Sequence, residues 1–120
     1  MLLITYGRIA EQALLAIDAL QEKGIRCDLL ILQQIKPIEQ EVYAILASHT
    51  EAFVFEEVLQ SGGVGESLQS GAAKSAPNCR IHIHALPNAF IPQGIVEQQL
   101  SQFSLDCSGM VRAVEESSHE

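Results

Sequence analysis

The residues of this 120-residue chain with the most chemistry to offer are carboxylates, glycines and histidines placed close together. Glu56-Glu57 follows the apolar run Phe53-Val54-Phe55. Open α/β sheets place their sites at the carboxyl ends of such strands. A carboxyl group with a raised pKa there would suit general acid–base work. The alternative is a hydrogen-bonded acid that caps a loop or meets a neighbouring domain, and this is the reading adopted. Gly62-Gly63-Val64-Gly65-Glu66 comes next. A glycine turn between strand and helix lets the backbone approach a phosphate at the helix start. Yet the Walker lysine is missing, the GxGxxG spacing is not met, and Glu56, Glu57 and Glu66 would repel a polyphosphate. A tight turn with close helix–sheet packing explains the glycines without a ligand.

His82 and His84 stand two apart in Arg80-Ile-His-Ile-His-Ala85, so in a strand both rings leave one face. Such a pair can supply two metal ligands, but a catalytic zinc needs a third, and no nearby Cys or carboxylate has the spacing. Exposed or interface histidines are expected instead. Phe90-Ile91-Pro92 is an apolar cluster among turn residues, expected to form a contact surface. No Ser/His/Asp or Cys/His arrangement can be defended. These residues describe a domain that assists catalysis elsewhere.

The elements that must position them alternate between apolar runs and helical patterns. Leu2–Tyr6 reads as a strand stopped by Gly7. Ile9, Ala13, Ala16, Ile17 and Leu20 form a helical stripe over Arg8–Lys23, closed by Gly24. Leu29–Leu32 and Phe53–Phe55 are apolar throughout, as strands covered on both faces must be. Pro37 is expected to open a helix carrying Ile38, Val42, Ile45 and Leu46 on one face. A third helix follows Gly62–Gly65. The strand Cys79–Ala85 alternates, which suits the sheet edge. Short helices are expected over Val96–Phe103 and Gly109–Glu116. The order is that of a three-layer α/β domain over residues 1–114, with residues 115–120 a polar, fraying tail.

Composition limits the partners. Seven Lys+Arg against fifteen Asp+Glu leave a net charge of −8. That disfavours nucleic acid and anionic membranes, which need cations to displace counterions. With 48% hydrophobic residues, the chain can build a core without disulfides. Cys27, Cys79 and Cys107 are odd in number and lack a CxxC, which points to a reducing compartment and a cytoplasmic location. The apolar start is too short for a signal peptide or a membrane span. A strand beginning at Leu2 is expected where a chain is cut at a domain boundary.

The order of motifs is more specific than any one of them. Thr5-Tyr6-Gly7-Arg8, Gln34-Ile35-Lys36-Pro37-Ile38, Phe55-Glu56-Glu57 and Gly62-Gly63-Val64-Gly65 resemble the C-terminal domain of the transketolase superfamily. Leu86-Pro87-Asn88-Ala89-Phe90-Ile91-Pro92-Gln93-Gly94 and Leu105-Asp106-Cys107-Ser108-Gly109-Met110 are most similar to the third domain of the 1-deoxy-D-xylulose-5-phosphate synthases. Asn88 and Gln93 stand where that family often has Asp and His, and Val64 where it often has an aromatic residue.

The resemblance implies a mostly parallel five-stranded sheet with one antiparallel edge strand. It also implies a homodimeric enzyme that condenses pyruvate with glyceraldehyde 3-phosphate using thiamine diphosphate and magnesium. In that family the cofactor and metal sites lie in two preceding domains, so no catalytic, cofactor or metal residue carries over to this chain. Glu56, Glu57, Gly62, Gly63, Gly65, Phe90, Ile91 and Pro92 match positions near contacts with the other domains and the dimer partner. Pyruvate dehydrogenase-type β subunits share the earlier motifs and remain an alternative. So do a separately encoded subunit and a stand-alone anion-binding regulatory module built on Gly62–Gly65.

Overall fold

A computed structural model describes residues 1–33, 38–59, 63–86 and 105–118, without the side chains of residues 8, 57–59, 86 and 118. Its strands are β1 (Leu2–Thr5), β2 (Asp28–Ile31), β3 (Glu51–Leu59) and β4 (Arg80–Leu86). Its helices are α1 (Ala10–Glu22, after a 3-10 turn at Gly7–Ile9), α2 (Gln40–Ala47), α3 (Val64–Ser75) and α4 (Cys107–Ser118). The strands pair in the order β2-β1-β3-β4, all parallel. The implied fifth, antiparallel strand is not among the described residues.

Helices cover both faces of the sheet, because β1 and β3 present apolar side chains to both layers. Leu3, Phe53 and Phe55 pack with Ile9, Ala13, Ala16 and Leu20 of the α1 region and with Met110 and Val114 of α4. Leu2, Ile4, Ala52 and Val54 pack on the other side with Val42 and Leu46 of α2 and Leu68 and Ala72 of α3. Burying Phe53 and Phe55 contributes about 1.5–3 kcal/mol each relative to exposure. Thr5, the buried hydroxyl in β1, donates to the Phe55 carbonyl at 3.0 Å, which ties the two central strands together.

α1 follows its predicted stripe and closes as expected. Gly24 adopts φ +78, and the N–H groups of Gly24 and Ile25 return to the carbonyls of Gln21 and Leu20 at 3.0 and 2.9 Å. Gly7 takes φ +74 at the sharp exit from β1.

Two expectations need correction. α2 begins at Gln40, and Ile38 precedes it while still packing on the core; Glu39 is extended at ψ 146, so the helix cannot include it. α4 runs from Cys107 through Ser118, beyond the predicted Gly109–Glu116, so residues 115–118 are helical. Lys23 pairs with Glu115, and the Ser117 hydroxyl donates to Glu51 at 2.5 Å, which fastens the last turn. The helix predicted over Val96–Phe103 lies outside the described residues.

Candidate functional site

Glu56 is fully buried near the carboxyl end of β3. An unpaired carboxylate there would be strongly unfavourable, so its oxygens must be satisfied. Three donors converge on it. Oε1 accepts from the Tyr6 hydroxyl at 2.8 Å and from the Val64 N–H at 2.7 Å. Oε2 accepts from the Gly65 N–H at 2.9 Å. The carboxylate therefore caps α3 from a different element, satisfying two of the N–H groups that a helix start leaves open. Its negative charge also lies at the positive end of the helix dipole.

The glycines are required by space. Gly63 has an ordinary backbone (φ −79, ψ 174), yet a Cβ there would stand 2.9 and 3.0 Å from the two Glu56 oxygens. At Gly65 a Cβ would stand 2.8 and 2.9 Å from Ile83 and 3.0 Å from Glu56 Oε2. Bare backbone lets the helix start close over the acid and against β4. This joins the ends of β1 and β3 to the start of α3, at the carboxyl edge of the sheet. An incoming phosphate would find the donors of Val64 and Gly65 already held by a buried anion. The arrangement is an internal clasp, and it argues against the anion-binding use of the glycine turn.

Glu57 lies in β3 with its side chain outside the described residues; Gly62, Phe90, Ile91 and Pro92 also lie outside them. Of the predicted residues, the structure therefore unites Glu56, Gly63 and Gly65. Tyr6, which the sequence places at a strand end and in the Thr5-Tyr6-Gly7-Arg8 motif but not among the site residues, belongs with them. A polar aromatic residue closing an otherwise apolar run was the signal available.

His82 and His84 share one face, as alternation predicts, but they are stacked on neighbours and half-buried. His82 lies on Phe53 with ring centroids 4.8 Å apart, and His84 on Phe55 at 4.5 Å. His82 Nε2 is 3.0 Å from Glu51 Oε2. Ser117 and His82 together hold the Glu51 carboxyl below its usual range, with Ser117 the larger influence. Burial chiefly, and then the charge of His82, push His84 down from the ordinary imidazole value. Among the described residues no three side chains are grouped to hold a metal.

Residues 1–110 match the family described as "Transketolase, C-terminal domain". The chain belongs to that family. Among its relatives, 1-deoxy-D-xylulose-5-phosphate synthase of Nitrosomonas europaea is 30% identical over 115 residues, and that of Syntrophotalea carbinolica is 28% identical over 114. These alignments take in 95% and 94% of this chain but only 18% of each relative. A solved structure titled "Split gene transketolase, inactive beta4 tetramer" superposes with a TM-score of 0.83 at 21% identity, covering 96% of this chain and 38% of that one. The fold is the transketolase C-terminal fold, as the motif order implied.

Proposed function

We propose that this chain acts as the C-terminal domain of a 1-deoxy-D-xylulose-5-phosphate synthase, packing against the preceding domains and the partner of a homodimer. The observation that supports this reading most is the alignment of nearly the whole chain with synthases more than five times its length. In the complete enzyme the reaction would join pyruvate to glyceraldehyde 3-phosphate with loss of carbon dioxide, in the cytoplasm. No helix among the described residues is long and apolar enough to cross a membrane.

The described residues do not fit thiamine diphosphate or its magnesium. The glycine turn most suited to a diphosphate is filled by the Glu56 carboxylate, and Glu51 is already hydrogen-bonded to Ser117 and His82. Both groups are assigned to the preceding domains. The contribution of this chain is a sheet edge on which Glu56, Gly63 and Gly65 set the start of α3, with Glu57, Gly62 and Phe90–Pro92 as contact positions for the other domains.

A second reading, a separately encoded subunit that needs a partner chain, draws support from the split-gene title of the structural neighbour. One experiment tests the main proposal. The matching region of the Nitrosomonas europaea synthase is replaced by this chain, and product formation is measured. An active chimera is expected. A folded, dimeric chimera without activity would overturn the assignment.

A further inference from the structure

On the sheet face opposite Glu56, a cleft of about 320 Å³ opens between β4, the last of the described strands, and α4. Its floor is aromatic, made by the Phe53, His82 and His84 rings. Ser117 and His82, both already hydrogen-bonded to Glu51, also line it. Arg112 and Glu116, one turn apart on α4, line the rim. Both are exposed, and neither forms an ion pair or hydrogen bond with a described residue. A guanidinium and a carboxylate therefore border the same small cavity without neutralising each other.

That charge arrangement selects a ligand class. A simple anion would meet Arg112 but also Glu116; a simple cation would meet the reverse. A molecule carrying both charges satisfies both, and the planar guanidinium suits a carboxylate in particular. Burial keeps the His84 imidazole toward its neutral form, and its ring face with that of Phe53 suits an apolar or aromatic group. The volume lies at the small end of ligand cavities.

We propose that this cleft binds a free amino acid, its carboxylate on Arg112, its ammonium on Glu116 and its side chain over the His82 and His84 rings. The proposal rests on the cleft alone and stands whether or not the chain serves a synthase.

The test titrates the chain with each common amino acid to about 10 mM while following the His82 and His84 ring signals by NMR; a millimolar Kd would be near saturation there. At least one amino acid is expected to give a saturable shift. R112Q and E116Q, both at exposed positions, should each raise its Kd tenfold or more, with the backbone spectrum unchanged. The N-acetyl and amide derivatives of that amino acid should fail to bind. The proposal is overturned if no amino acid moves either ring, if the shift survives both substitutions, or if the N-acetyl form binds as well.

Discussion

Glu56 and Gly65 are nine residues apart in the chain, yet Oε2 of the first accepts the backbone N–H of the second at 2.9 Å. The missing side chain at Gly65 permits that approach, since a Cβ would stand 3.0 Å from the same oxygen. Strand end, glycine turn and helix start thus form one unit.

Removing the acid should therefore unfold more than a surface substitution would. Glu56→Ala leaves the buried Val64 and Gly65 N–H groups without their acceptor, at about 1–3 kcal/mol for each buried group left unpaired. We expect a loss of roughly 3 kcal/mol in urea unfolding. Tyr6→Phe, which deletes one donor, should lose about 1 kcal/mol. A Glu56→Ala variant as stable as the parent would contradict the clasp.

Gly65→Ala should destabilise by about 1–3 kcal/mol through overpacking against Ile83 and Glu56. In an Ile83→Ala background the same change should be milder, with a coupling of about 0.5–3 kcal/mol in a double-mutant cycle. Additive losses would show that Ile83 does not set the limit on Gly65.

His84 has its pKa lowered by burial and by His82, so the folded chain binds fewer protons there than the unfolded chain. Its contribution is fully present above about pH 6.5, the unfolded value, and is lost as pH falls through the lower folded value. Glu51 and Asp28 are also lowered, by the Ser117 and His49 hydrogen bonds first. Their contributions are present above about pH 4 and are lost in more acidic solution. Urea midpoints measured from pH 4.5 to 8 should fall below pH 6.5 more steeply for the parent than for His84→Gln. Superimposable curves would refute the assignment to His84.

Burial raises the Cys27 thiol to about 11. At pH 8 its thiolate fraction is then about a hundredfold or more below that of free cysteine. Iodoacetamide should alkylate Cys27 slowly in proportion, as read by peptide mass spectrometry. Labelling at the rate of free cysteine would show that partial burial does not suppress the Cys27 thiolate.

Local patterns made the layers legible. The α1 stripe, the apolar Phe53–Phe55 run and the alternation around His82 and His84 each report one element's own burial. What the sequence could not show depends on register between distant elements. The His82–Phe53 stack needs β4 aligned with β3, and the Ser117–Glu51 bond joins residues 66 apart, so the last turn of α4 looked like a polar tail. At Glu56 the acid and the glycines were both visible. Their contact was hidden, because it depends on how tightly the turn folds back.

The central claim is that this chain is a packing domain whose glycine turn is closed by its own carboxylate. The most direct test is a thermal melt of the chain with thiamine diphosphate and magnesium at increasing concentration. A ligand that binds the native state raises its stability by mass action. The account predicts an unchanged melting temperature throughout. A saturable rise would contradict it.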